Sequence, residues 1–233
     1  MKSVLSIDFD YFQNVSSECL QFYPDGLDLP TELSTIVWSG KYATPKEKEA
    51  ISNVTIMHDE IFILLSIIKH QVPNTPVYVT NSHVNIYSFI CENIPLGEKF
   101  TLHNIDMHHD LLNNNETLDC GNWVNHIFKR YGRKNIDFKW IANPISLQAY
   151  GFDSDEVKAL PILNSLSSIK EEKYDFIFLC RSDNWLPPHL DSYFDRVFQT
   201  IKLHFNKIRA TCDVREPRNY SPLVRTMRSY WNL

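Results

Sequence analysis

An α/β fold with a central, mainly parallel sheet is what this sequence predicts, and three observations predict it. Short apolar runs rich in β-branched and aromatic residues alternate with longer stretches of helical period, the pattern of β-α-β units. Several of the apolar runs lead straight into aspartate or histidine, residues that a parallel sheet gathers in one crevice at the carboxyl ends of its strands. Lastly, 233 residues with 43% hydrophobic and 13% aromatic content suffice for one substantial core and are too few for two generous ones. Residues 1–233 therefore read as a single domain of three layers, α/β/α.

Taken in order, the first strand runs from Ser3 to Phe9. The segment from Gln13 to Lys41 contains Pro24, Gly26, Pro30 and Gly40 without a clear period, so it reads as an irregular excursion of the kind that forms lids or binding surfaces. Thr44-Pro45 starts a helix to Ile51, an N-cap followed by a proline whose missing N–H is harmless there. Strands follow at Asn53 to Met57, Pro76 to Thr80, Phe100 to Ile105, Ile136 to Ile141 and Tyr174 to Cys180. Helices are expected at Glu60 to His70, Asn85 to Glu92, Gly121 to Arg130 and Pro188 to Phe205. The tail after Asp213 is locally basic, with Arg215, Arg218, Arg225 and Arg228, and reads as a solvated segment.

The formal charge of -5, with both signs mixed along the chain, provides no basic stripe for neutralising phosphates, which argues against nucleic acid as a partner. The start, Met1 to Asp8, lacks the apolar core of a secretory signal, and the longest apolar run, Ile61 to Ile68, is only eight residues, which argues against a membrane span. Five cysteines with no C-x-x-C pair suit reduced thiols, so a cytoplasmic protein is expected.

The chemistry concentrates in three places. Phe100 to Ile105 leads into Asp106-Met107-His108-His109-Asp110, where two carboxylates and an imidazole at i, i+2 and i+4 project to one side of an extended segment. Oxygen and imidazole donors without thiolate suit a hard or borderline divalent ion such as manganese. In Ser6-Ile7-Asp8-Phe9-Asp10 the same alternation puts Asp8 and Asp10 on one face, where two like charges call for a cation between them. The third place is His83, which follows the strand ending at Thr80, one helix and one strand before Asp106, so that the carboxyl ends of two neighbouring parallel strands are expected to face the same crevice.

At these residues the sequence resembles the ureohydrolase superfamily of arginases and agmatinases. Thr80-Asn81-Ser82-His83 is similar to that family's Gly-Gly-Asp-His motif, Asp106 to Asp110 to its Asp-Ala-His-x-Asp, and Ser6 to Asp10 to its Ser-x-Asp-x-Asp strand. The 23 residues from His83 to Asp106 are similar to the family's spacing. The resemblance implies two Mn²⁺ per chain, one held by His83, Asp106, Asp110 and Asp8, the other by Asp106, His108, Asp8 and Asp10. Cys120-Gly121-Asn122-Trp123 resembles the loop through which arginases touch the backbone part of their substrate, and assigns Cys120, Asn122 and Trp123 to substrate binding.

This sequence departs from the family in three respects. The Ser6 to Asp10 motif comes first in the chain instead of last, the double glycine before His83 is missing, and Val124 occupies the place of the proton-shuttle histidine. That order resembles a small branch containing peptide arginases, which convert arginine residues of precursor peptides to ornithine with release of urea, a post-translational modification. The resemblance implies hydroxide attack on the guanidinium carbon and protonation of the leaving amine, with His109 and His126 as alternatives for the acid. Glu60 or Asp59, after the strand candidate ending at Met57, either reaches the crevice to pair with a guanidinium, as the resemblance implies for one glutamate, or favours a helix N-terminus; Asp183, after the strand ending at Cys180, either lines the crevice or forms a turn. The alternatives to a peptide substrate are free arginine, agmatine or another small guanidino compound. Two other classes compete: a zinc deacetylase-like amidohydrolase, which Asp110 and the Asp8/Asp10 pair disfavour, and a metal- or peptide-binding module without turnover.

Overall fold

The computed structural model describes residues 1–24, 28–112, 117–150 and 154–231, and Gly26 of the irregular segment lies outside them. In chain order the elements are β1 Lys2–Asp8, β2 Gln13–Asn14, α1 Ser17–Leu20, α2 Thr31–Ala43, α3 Pro45–Ser52, β3 Thr55–Ile56, α4 His58–His70, β4 Val77–Thr80 and α5 Asn85–Asn93. They continue with β5 Phe100–Asp106, α6 Trp123–Tyr131, β6 Ile136–Ala142, α7 Ser146–Ala149, α8 Asp155–Lys158, β7 Ile162–Leu163, β8 Phe176–Cys180, α9 Asp191–His204, β9 Ile208–Ala210 and α10 Ser221–Trp231. Seven strands form a parallel sheet in the order β7-β6-β5-β1-β8-β4-β9, as the alternation of strands and helices predicts. Among the described residues no helix is long and apolar enough to cross a membrane.

Alternation along the strands builds the two faces. Leu5 and Ile7 of β1 with Ile177 and Leu179 of β8 pack against α4 and α9 through Leu64, Ile67, Phe194, Val197 and Phe198. On the other face Val4, Leu102, Phe138 and Phe178 pack against α5 and α6 through Ile86, Phe89, Trp123, Val124 and Ile127. Strands covered on both faces are ordinarily apolar throughout, so the buried Ser6 of β1 and the buried His103 and Asn104 of β5 call for an explanation. In β1 and β5 the series Val4-Ser6-Asp8 and Phe100-Leu102-Asn104-Asp106 run along the same face, with Ser6 opposite Asn104 in register.

Four expectations need correction. The strand proposed at Asn53 to Met57 is only Thr55–Ile56, and it pairs antiparallel with Gln13–Asn14 outside the central sheet. Much of the irregular excursion is the helix α2; its buried positions are Ser34, Thr35, Trp38, Ser39, Tyr42 and Ala43, at helical spacing but mostly polar or small, so no apolar period shows. The tail after Asp213 is not a solvated segment, because Arg218 is buried and α10 packs on α2. Finally, β4 is not the neighbour of β5: β1 and β8 lie between them, and His83 reaches the site across β8 with its ring stacked on Phe178 at 5.8 Å.

Candidate metal centre

The site forms where β1 and β5, the two strands on either side of the direction change in sheet order, end side by side. Asp8 is the last residue of β1 and Asp106 the last of β5. Asp10 arrives by a different route from strand alternation. After Asp8 the chain turns into a 3-10 turn, Phe9–Phe12, and the Asp10 N–H donates to Asp8 Oδ1 at 3.3 Å. The extended path through Asp106-His108-Asp110 ends as well: the His108 N–H folds back onto Asp106 Oδ1 at 2.7 Å, and Asp110 sits at φ 50°. Positive φ is unfavourable for a residue with a side chain. Among the described non-glycine residues it occurs only at Asp110 and at Ser182, which lies beside Asp10, so the strain is confined to this site.

Asp106 organises the geometry. Its Oδ2 lies 3.1 Å from His83 Nδ1, and its Oδ1 3.7 Å from His108 Nδ1. Around the first imidazole Asp8 Oδ2 stands at 3.1 Å and Asp110 Oδ2 at 2.9 Å; beside the second, Asp10 Oδ2 stands at 3.0 Å. Two groups of atoms arranged so that each could hold a metal ion result, Asp8-His83-Asp106 and Asp10-His108-Asp106, sharing Asp106. His83 Nδ1 makes no hydrogen bond despite three carboxylate oxygens within about 3 Å, which is the arrangement of a nitrogen directed at a cation. Its Nε2 is tied to the Ser6 hydroxyl at 2.8 Å, fixing the ring in the manner of a metal-binding histidine. The donor set, oxygen and imidazole without sulfur, fits manganese or a similar divalent ion.

The electrostatics point the same way. Burial raises the carboxyl groups of Asp8 and Asp110 above the usual range, and burial together with the charge of Asp8 pushes Asp10 up to about 7. Of the four aspartates here Asp106 alone is held below the ordinary carboxylate range: burial opposes this, but the close approach and charge of His108 and His83 outweigh it. Burial also opposes protonation of the two histidines, yet the surrounding carboxylates raise both well above their ordinary value. A cluster so rich in carboxylates takes up protons unless a cation replaces them.

A cavity of about 240 Å³ opens onto these ligands, lined by Asp8, His83, His108 and Asp110. His108 lies between the rings of Tyr150 and Trp185, 4.7 Å and 4.5 Å away. Of the remaining residues singled out in the sequence, His109 and Cys120 line the cavity too. His109 Nδ1 accepts the Leu111 N–H at 3.0 Å, so its ring proton is on Nε2. His126 does not line the cavity; its ring packs on Tyr87 of α5. Glu60 lies outside the cavity and accepts from the Tyr11 hydroxyl at 3.1 Å.

Unlike Cys120, the loop residues Asn122 and Trp123 hold the site rather than line its cavity. Asn122 accepts from the Asp119 N–H at 2.9 Å and donates to the Thr117 carbonyl at 2.8 Å, which commits its amide to the loop. Trp123 is fully buried, packs on His83 at 5.0 Å, and donates its indole N–H to Asp110 Oδ2 at 2.5 Å. Val124, where the resemblance expects a shuttle histidine, is core. Asp183 reaches the cavity wall, but Arg181 engages both its oxygens and Thr31 donates to Oδ2.

Sequence reasoning missed Asn104, whose amide donates to Asp106 Oδ2 at 3.2 Å, along with Asp28, Tyr150, Asn184 and Trp185 of the cavity wall. Asn104 carried a signal, a polar residue interrupting an apolar strand two positions before its aspartate. No protein-family model, curated protein or solved structure significantly matches this chain.

Proposed function

We propose that this chain is a manganese-dependent hydrolase of guanidino groups, of the ureohydrolase type, that converts arginine residues in a peptide to ornithine and urea. The observation that carries the proposal is the division of Asp106 between two imidazoles, by which Asp8, His83 and Asp106 would hold one ion and Asp10, His108 and Asp106 a second. A pair of Mn²⁺ ions supplies Lewis acidity and a water of lowered pKa, hence a nucleophile at neutral pH.

The chain's own residues account for the remainder. Ser6, Asn104 and Trp123 lock the orientation of His83, Asp106 and Asp110, so the ligands do not reorganise during reaction. Tyr150 and Trp185 flank His108 and shield that side of the site. Water adds to the guanidinium carbon, the bond from that carbon to the side-chain nitrogen breaks, and the nitrogen leaves as an amine after taking a proton. His109 lines the cavity with its proton on Nε2 and is the group we assign to that step; His126, against Tyr87, is not.

The cavity lining favours a substrate without a carboxylate. It contains no lysine or arginine among the described residues, so the α-carboxylate of free arginine finds no cationic partner there. An arginine residue within a peptide, whose carboxylate is an amide, meets no such cost. The test offers the manganese-loaded protein free arginine and N-acetyl-arginine amide at equal concentration and measures urea. Faster release from the amide is expected. Faster release from free arginine overturns the peptide assignment, and no urea from any guanidino compound overturns the hydrolase in favour of a binding module.

A further inference from the structure

The wall of the cavity contributed by Asp28 and Asn184 has a use that the metal ligands do not supply. Asp28 stands just before α2 and is anchored by the Ser82 hydroxyl, which donates to Oδ2, and by the Asn184 amide, which donates to Oδ1 at 3.4 Å. Ser82 directly precedes the ligand His83, so the Asp28 carboxylate adjoins the metal centre. No lysine or arginine pairs with it among the described residues. A carboxylate has about four acceptor positions, and two are filled.

Asn184 supplies the second, independent observation. Its Nδ2 faces only acceptors, Asp28 Oδ1 and the Leu29 carbonyl at 3.3 Å, so the amide orientation is fixed by its neighbours. Its Oδ1 is therefore set in place with no donor at all, in a residue 5% exposed that lines the cavity. An unpaired buried acceptor costs stability unless a ligand supplies the donor. Beside a carboxylate that no lysine or arginine neutralises among the described residues, the fitting donor is a cationic N–H group. Asp119, whose Oδ1 accepts the Gly121 N–H, adds another carboxylate to the same cavity.

We infer that Asp28 and Asn184 form the specificity-determining subsite for the cationic end of the substrate, accepting N–H bonds from an alkylguanidinium placed beside the metal centre. A planar guanidinium presents several donors in a fixed fork, enough for a carboxylate oxygen and an amide oxygen at once. The inference rests on the guanidino reading above and assigns the residues that select for charge.

The experiment titrates manganese-loaded protein with N-acetyl-arginine amide and with its neutral isostere N-acetyl-citrulline amide, by calorimetry, in the parent and in Asp28→Asn and Asn184→Leu, while metal content and urea release are followed separately. The parent should prefer the arginine ligand, and Asp28→Asn should weaken it roughly tenfold while leaving the citrulline ligand and the metal content unchanged. Asn184→Leu should weaken the arginine ligand to a smaller extent. Unchanged arginine affinity in Asp28→Asn, or equal loss for both ligands, overturns the subsite even if urea is released; so does a parent that binds neither ligand. Selective binding without urea release leaves the subsite standing and overturns the hydrolase alone.

Discussion

Ser182 and Asp183 are chain neighbours, yet they belong to two buried acidic clusters whose charges are balanced in different ways. On one side Asp183 and Asp191 are matched by Arg181 and Arg218: Arg181 holds Asp183 at 2.5 Å, and Arg218 holds Asp191 at 2.6 Å while also donating to the carbonyls of Asp183 and Leu186. On the other, Asp8, Asp10, Asp106 and Asp110 have two imidazoles and no lysine or arginine among the described residues. The consequence is visible in the protonation of each. Burial raises Asp183, but Arg218 and Arg181 bring it below its ordinary value, whereas Asp8, Asp10 and Asp110 stay above theirs and only Asp106, beside both imidazoles, is held below. A cluster neutralised by its own side chains is a structural clamp; one that is short of positive charge has the electrostatics of a cation site.

The largest effect should come from breaking the clamp. Arg218→Ala leaves Asp191 buried without its partner and strips donors from two carbonyls, and should cost about 3–5 kcal/mol in chemical denaturation. Manganese should not restore the loss; a restoration would mean that the two clusters are not separate. Next, Asp106→Asn should lower metal affinity by more than the roughly hundredfold ceiling of an outer-shell change and abolish urea release, with the fold retained. Metal analysis and circular dichroism check it, and retention of two ions would remove Asp106 from the bridging position.

The pH responses should have opposite signs. In metal-free protein Asp10 is raised from 3.8 to about 7, so its contribution to stability is present below its unfolded value and is lost as the pH rises through 7. Asp183 is lowered, so its contribution is present above its unfolded value of 3.8 and is lost as the pH falls below it. Melting temperatures with manganese and with a chelator should therefore diverge as the pH rises from 4 to 7; parallel curves would contradict the charge deficit at the site. The smallest effect is expected from Trp123→Phe, which keeps the ring on His83 but removes the N–H from Asp110, and should weaken metal binding about tenfold.

The contrast also explains what the sequence could convey. Asp8, Asp106 and His83 were legible because each ends or follows an apolar strand, and parallel strands bring such ends together. The parallel sheet was legible for the same reason. Its order was not, since nothing local tells β8 to insert between β1 and β4. Asp10 and Asp110 were legible as residue types but not as geometry, because a 3-10 turn and a positive φ, not strand alternation, deliver them. Arg218 looked like part of a solvated tail because its partners, Asp183 and Asp191, lie about thirty residues away and only tertiary packing brings them to it. Asp28 and Asn184 carried no signal at all: neither follows a pattern, and their meaning depends on a cavity that exists only in the folded chain.

The central position of β1 has a consequence for how the protein is made. Its two neighbours are β5, paired from Lys2 to Phe100, and β8, paired from Val4 to Phe176. Translation at about 5–20 residues per second therefore leaves this strand with both edges bare for roughly five to twenty seconds, and with at least one edge bare for roughly ten to thirty. Such an edge is a template for pairing with other nascent chains. Yield during synthesis should then depend on ribosome-associated chaperones, and slowing translation between residues 100 and 176 should increase aggregation without altering the stability of the finished molecule.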